Sequence, residues 1–502
     1  MAAKHSQLLR GQSAVGSDPQ FAGRFGRMFP KLPAAKFGDK DLEKLAKAMI
    51  SDFDPPKDGP DDEESGIPAL YTYLGQFIDH DLTFDPTASF QKQKDPDAGT
   101  DFRTPAFDLD NIYGRGPGDQ PYMYDIDGKT LLLGASLTLG APGARDLQRN
   151  AAGRALIGDP RNDENTIVSQ LQGLFLNFHN RKVREQPKDD FAALQQTLRF
   201  HYQYVVVNDF LPRIVQARVL EELKTDGAFD RAKLRFFTNL EQPFMPLEFS
   251  VAAYRLGHSM VRPGYRLNDA TLVPIFPLPP EVVPGFPEGL VGFRRMIRDW
   301  GIDWGRFIDI DLRAYGSQTD SKKTTDNFKR LQFAYRIDSA AVDPLGHLPA
   351  AVASNPASLA LRNLLRGREF NLPSGQTVAT AMGVTPLKNE EILIGQGVDK
   401  PDPPLKNIVE VAGSAFDANC PLWTYILAEA MLNKTSVTVP VKEKVKISTP
   451  QLGPVGGRIV AEVFLGLLFA DPGSYLSKEP NWTPAGKRDY RLKDFVNYAL
   501  GH

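Results

Sequence analysis

Apolar positions recur at helical spacing through most of the chain, and proline and glycine interrupt them at intervals. Over Lys40–Phe53, residues Leu42, Leu45, Ala46, Met49 and Ile50 form one stripe, with Asp39 as an N-cap, which predicts a first helix. An acidic, Pro-rich break (DFDPPKDGPDDEESGIP) reads as loop, and Pro68 then suits the first turn of a helix running to about Leu82, stopped before Pro86. Residues 84–150 are rich in Asp, Gly and Pro and read as a long irregular region, a length that usually goes with function. From Asn162 onward Ile167, Leu171, Leu174, Phe175 and Phe178 share one stripe, and a further helix is predicted over Asp190–Gln216. Other helices are expected from Pro246 to just before Pro263, over Pro356–Arg368, over Pro421–Leu432 and over Pro454–Ala470. Alternating patterns are scarce, and Ser436–Ile447 (SVTVPVKEKVKI) is the clearest hairpin. The expectation is a mainly α fold, one large unit with long irregular loops and little strand. Residues 1–66 would form an N-terminal arm and first helix, 67–476 the main unit, and 477–502 a tail packed upon it.

Composition narrows the function only broadly. Among 502 residues, Lys+Arg number 59 and Asp+Glu 61, a net charge of −2 that argues against binding nucleic acid through bulk charge. Gly 42 and Pro 40 fit the many breaks. The single cysteine, Cys420, excludes an intramolecular disulfide framework and reads as a buried hydrophobe. The N-terminal residues lack the apolar core of about 7–15 residues that marks a secretory signal. The longest apolar stretch, Ile459–Ala470, is interrupted by Glu462 and is shorter than the ~20 residues of a membrane span. These features lead us to expect a chain with no transmembrane segment, cytoplasmic or secreted without a classical signal peptide.

Two of the seven histidines have unusual neighbourhoods. In Leu74-Gly-Gln-Phe-Ile-Asp-His-Asp-Leu82, helical spacing puts Gln76, Asp79 and His80 on one polar face among apolar residues. Burying such a face is costly unless something polar lies in front of it or it forms a hydrogen-bonded core network. In Phe249-Ser-Val-Ala-Ala-Tyr-Arg-Leu-Gly-His258, a histidine near a helix end has Arg255 one turn before it. Gly257 beside it leaves room for a flat group, or simply for close packing.

The segments GQFIDHDL, FDLDNIYG, GDPRNDEN, FLNFHNR, YRLGH, RNLLRGREFNLPS and LGPVGGRIVAE occur in that order between Pro68 and Tyr475. This series resembles the animal-type haem peroxidases of the peroxidase–cyclooxygenase superfamily, and in particular a bacterial-like member. The resemblance implies haem b and a peroxidase that reduces hydrogen peroxide and oxidises small phenolic or halide donors through high-valent iron, a role in the response to oxidative stress included. It implies His80 as distal histidine with Gln76 beside it, Arg161 as distal arginine, His258 as proximal iron ligand and Asn363 as the acceptor of its Nδ1 proton. Such types suit the chemistry: neutral imidazole binds iron, a base shuttles the peroxide proton, and fixed positive charge meets developing negative charge. Asp79 and Glu164 match carboxylates that form esters with haem methyl groups in mammalian members, and Arg255 falls at the cofactor. Asn165 stands where a methionine would make a sulfonium link. Asp81, Thr104, Ala106, Asp108 and Asp110 match a calcium loop, whose oxygen donors suit a hard cation. One departure is Arg368-Glu-Phe-Asn-Leu-Pro373, where the family has RDHGLP; the lost glycine puts the local turn in question.

Two other readings compete. In the superfamily's fatty-acid dioxygenases a radical-forming tyrosine lies three residues before the proximal histidine, a place taken here by Arg255. Tyr254 would point about 100° away from it on an α-helix. Remoter still, His80-Asp81 could belong to a metal-dependent phosphohydrolase, with His179 as the nearest spare ligand. The sequence leaves the oligomeric state open.

Overall fold

The computed structural model describes residues 25–83, 105–278, 289–317, 325–350, 352–353 and 355–502. Helices dominate. Asp39–Ala48, Leu70–Leu82, Thr166–Glu185, Phe191–Val205, Leu359–Glu369, Gly375–Met382, Leu422–Leu432, Gly456–Ala470 and Leu492–Leu500 are the longer ones. Several begin where a short polar side chain takes an otherwise orphaned N–H: Asn165 accepts from Ile167, Asp190 from Ala193, Ser358 from Leu361 and Ser374 from Thr377. The first helix instead begins at Asp39 after Gly38, whose N–H donates to the Asp41 carboxylate at 3.1 Å.

Pro68 does not open a helix. It ends the strand Glu64–Pro68, which pairs antiparallel with Phe333–Tyr335, and the helix begins at Leu70. The Ala69 and Leu70 N–H groups donate to the carbonyls of Gln332 and Phe307, so distant segments take over the role of a helical first turn. Among the described residues every sheet is two-stranded. The expected hairpin is present as Lys434–Thr438 against Lys446–Pro450. Residues 246–263 depart further from expectation. Instead of an α-helix they form a π turn over Glu248–Ala252 followed by a 3₁₀ segment over Ala253–His258.

The core is continuous across these elements. Phe77 of Leu70–Leu82 stacks on Phe175 of Thr166–Glu185, with centroids 4.3 Å apart and rings 15° from parallel. Phe495 of the last helix packs on Phe175 and Phe178. Cys420 is fully buried, as expected. Asn371, at the position of the missing family glycine, has φ 52°. Asn is among the few residues that tolerate this left-handed conformation, so the turn after Leu359–Glu369 survives the substitution.

Candidate active site

A cavity of about 960 Å³ lies between the Leu70–Leu82 helix, the Pro160–Asn165 segment, the π/3₁₀ segment and the Leu359–Glu369 helix. Gln76, Asp79, His80, Arg161, Glu164, Arg255, His258 and Asn363 all line it, so residues up to 287 positions apart in sequence converge on one space.

On one wall, a chain of amides fixes the state of His80. Gln172 Nε2 donates to the Asn111 carbonyl at 3.1 Å, which turns Gln172 Oε1 toward Asn162. Asn162 Nδ2 donates to that oxygen at 2.7 Å, leaving Asn162 Oδ1 to face His80 Nδ1 at 2.7 Å. An amide oxygen only accepts, so Nδ1 carries the proton and Nε2 presents a lone pair. Nε2 lies 3.5 Å from Glu164 Oε1, an oxygen that accepts from Gln76 Nε2 at 2.5 Å.

Arg161 is buried beside this histidine. Its Nε and Nη2 donate to Asp159, and Nη2 also reaches the carbonyls of His80 and Thr83, tying the guanidinium to the end of the Leu70–Leu82 helix. Burial opposes its charge, but Asp159, with Asp79 and Glu164 beyond, outweighs that and holds its pKa above the usual guanidinium range. Asp159 also accepts from the Arg161 N–H as the cap of the short Pro160–Asp163 turn. Asn165 is used as the cap of the following helix, so its side chain points into local backbone pairing.

His258 ends the 3₁₀ segment, half-buried, and also lines the cavity. Burial, and then Arg255, push its pKa down to about 3, so the ring is neutral. Asn363 Nδ2 lies 2.8 Å from Nδ1. Turned over about its terminal bond, the same amide would present its oxygen, accept from Nδ1–H and leave Nε2 to bind a metal. A Cβ built on Gly257 meets nothing within 4 Å, so open space lies beside this histidine. Arg255, Arg362 and Arg366 bring positive charge to the cavity wall. Apolar walls, a neutral imidazole held at Nδ1 and cations able to meet carboxylates together fit a flat iron porphyrin with its two propionates.

The carboxylates of the expected calcium loop are buried: Asp81 at 0 %, Asp108 at 8 % and Asp110 at 7 % exposure. Ala106 is buried as well, and Thr104 lies outside the described residues. Among the described residues, no group of three or more His, Cys, Asp or Glu side chains is arranged to hold a metal ion. His179 is not a spare ligand. Its Nδ1 accepts from the Tyr113 hydroxyl and its Nε2 donates to the Lys129 carbonyl, both at 2.9 Å.

Tyr254 also borders the cavity, with its hydroxyl donating to the Gly75 carbonyl at 3.2 Å. Asn162 and Asp159, which set the states of His80 and Arg161, escaped the sequence reading. Both stand in GDPRNDEN, flanking Arg161, and an acceptor for each charged or tautomeric group was the signal to look for there.

Known proteins resemble this chain in sequence and in fold. The family model for animal haem peroxidase matches residues 91–279, a stretch that includes Arg161, Glu164 and His258. Dual oxidase of Drosophila melanogaster is 24 % identical over 243 residues, 46 % of this chain and 13 % of that protein. The chain thus spans a small part of that relative's length. Peroxidase A from Dictyostelium discoideum superposes over 96 % of this chain and 94 % of its own, with a TM-score of 0.59 at 14 % identity. The fatty acid alpha-dioxygenase of Oryza sativa superposes over 96 % of this chain and 80 % of its own, with a TM-score of 0.53 at 16 % identity. At such identities these two likenesses concern the fold. Residues 91–279 carry the match to animal haem peroxidase, and the fold is one shared with peroxidase A and the alpha-dioxygenase.

Proposed function

We propose that the chain is a haem-dependent peroxidase that reduces hydrogen peroxide and oxidises small phenolic or halide donors. The observation that carries this reading is the pair of histidines lining one cavity: a neutral His258 paired at Nδ1 with the Asn363 amide, and a His80 whose tautomer leaves Nε2 as a base. Haem bound between them, with His258 as its iron ligand, would supply the redox centre at which the peroxide O–O bond is cleaved. His80 Nε2 takes a proton from one peroxide oxygen and returns it to the other, which leaves as water. Arg161 holds fixed charge where negative charge develops on that oxygen. Gln76, through Glu164, keeps the polar wall around His80 in register. Arg255 and its neighbours meet the porphyrin carboxylates. Two electrons and two protons from the donors complete the reduction of peroxide to water.

Asp79 and Glu164 are further proposed as points of ester attachment to the haem, formed on exposure to peroxide. Acidified organic solvent would then leave haem on the protein, and complete extraction would remove the claim. Calcium is proposed at Asp81, Asp108, Asp110, the Ala106 carbonyl and Thr104, supported by the burial of the three carboxylates. Metal analysis of protein never exposed to chelator tests it. No helix among the described residues is long and apolar enough to cross a membrane.

The deciding experiment is His258→Ala. It should lose the intense haem absorbance band and peroxidase turnover while keeping the helical circular dichroism, and an unchanged spectrum with full turnover would refute the assignment. His80→Ala should slow the reaction with peroxide by about 10²–10⁴-fold. A second reading, fatty-acid dioxygenation, is favoured by one observation, the position of Tyr254 at the cavity. Rapid oxygen uptake with linoleate, abolished by Tyr254→Phe, would establish it.

A further inference from the structure

Tyr254 touches more than the cavity. Its ring lies 5.3 Å from that of Phe464, which is 5.1 Å from Phe107, which is 6.1 Å from Tyr202. From Tyr202 the contacts continue outward through Phe175 at 5.8 Å and Phe495 at 4.7 Å. Phe178 follows at 4.5 Å and Tyr498, on the last helix, at a further 4.5 Å. These rings come from several elements far apart in sequence, with Phe175 and Phe178 on one helix and Phe495 and Tyr498 on another, and together they run from the cavity wall to Tyr498 on the last helix.

The outer end is built differently from the rest. The Tyr498 hydroxyl donates a short hydrogen bond to Glu185 Oε2, and the Glu185 side chain is 41 % exposed. A phenol that loses an electron becomes a strong acid, so a carboxylate in direct contact can take its proton and a neutral radical remains. The Phe rings are too hard to oxidise to hold a hole, but they shorten the tunnelling gaps between tyrosines. Tyr254, Tyr202 and Tyr498 are therefore the stations, and only Tyr498 combines a proton acceptor with access from solvent.

We propose that this aromatic chain carries oxidising equivalents from the cavity to Tyr498, making the Tyr498–Glu185 pair a second, surface site that oxidises phenolic donors too bulky to enter the cavity, such as tyrosines of another protein. The proposal rests on the peroxidase reading, which supplies hydrogen peroxide as the oxidant. One peroxide takes up two electrons and two protons and leaves two waters. Each electron is drawn inward from Tyr498, whose phenolic proton passes to Glu185. A donor phenol at the surface then gives up one electron and one proton, restores Tyr498 and leaves as a phenoxyl radical. Two donors are consumed per peroxide, and paired radicals couple.

The test uses the haem-loaded protein, hydrogen peroxide and a nitroso spin trap, with the trapped residue located by mass spectrometry. The expected adduct is on Tyr498. In Tyr498→Phe, which keeps the ring and its packing, that adduct and the oxidation of a tyrosine-bearing carrier protein should fall at least tenfold, while turnover of a small phenol stays unchanged. Tyr202→Phe should lower the Tyr498 adduct without touching the surface. An adduct on Trp482 or Tyr490 in place of Tyr498, or equal loss of small and bulky donors in Tyr498→Phe, overturns the proposal. Absence of any haem spectral change on adding peroxide would instead overturn the peroxidase reading.

Discussion

Asn162 has no contact with iron or peroxide in the reading above, yet it decides which nitrogen of His80 is basic. Its orientation is inherited from Gln172 and finally from a backbone carbonyl, a group that cannot donate. Asn162→Ala should keep haem bound but lower the rate of reaction with peroxide by about 10–100-fold, as loss of a partner behind a functional group commonly does. Stopped-flow absorbance measures it, and a rate equal to wild type would show that the tautomer is set elsewhere. Asn371 offers a matching test of backbone conformation. With φ 52°, Asn371→Gly should leave stability within about 1 kcal/mol of wild type, whereas Asn371→Val, β-branched in the left-handed region, should lower it by about 1–2 kcal/mol. Urea unfolding distinguishes the two. The side chains that line the candidate site were legible in the sequence because each carries its own chemistry and sits in a dense motif. Their partners were not, because a hydrogen-bond chain linking Asn111, Gln172, Asn162 and His80 crosses four elements.

At the scale of elements, helix interiors followed from periodicity and their starts from capping residues, as with Asp190 and the Phe191–Val205 helix. Errors arose where distant backbone competes. Pro68 carries every mark of a helix start, but the segment before it is claimed by Phe333–Tyr335. The π/3₁₀ segment over 248–258 was illegible because periodicity arguments assume 3.6 residues per turn. Glu462, which breaks the apolar run of the Gly456–Ala470 helix, proves to be structural. Fully buried, its Oε2 accepts from the N–H groups of Arg235, Phe236 and Phe237 while Oε1 accepts from Arg458 Nε at 2.6 Å. Glu462→Ala would strand these donors and should cost about 3–5 kcal/mol of stability in chemical denaturation. Glu462→Leu, better matched in volume, should fail to restore it, since the loss lies in the donors and not in the packing.

For the whole molecule, buried titratable groups set how stability varies with pH. Burial pushes Asp338 and Glu429 up to about 7, and burial with Asp61 and Asp338 pushes Glu63 up to about 8. Each holds a proton in the fold that the unfolded chain has already released, so its contribution is complete at low pH and is lost as pH rises through the folded value. Burial pushes His179 and His201 down to about 4, and these act oppositely: the unfolded chain binds protons near pH 6.5 that the fold refuses. Between about pH 4.5 and 6.5 the two sets oppose one another; above 6.5 only the carboxylates remain in play. Stability should therefore decline from pH 6.5 to 8, by about 1 kcal/mol or less from each of Asp338 and Glu429 and by somewhat more from Glu63. Thermal melting at the two pH values should give the lower midpoint at pH 8; a higher midpoint there would contradict these assignments.

The convergence of distant segments on one cavity also orders events during synthesis. His80 emerges early, but Asn363, which holds the Nδ1 side of His258, is made 283 residues later. At roughly 5–20 residues per second, that interval lasts on the order of 15–60 s. Through it the nascent chain displays His80 and then His258 without the helix that joins their walls. A metal-bearing ring arriving in that time would meet half a binding site open to water. On the reading proposed above, cofactor binding would be a late step, following the ribosome's passage beyond Asn363, and a chain truncated before that residue should emerge unable to retain haem.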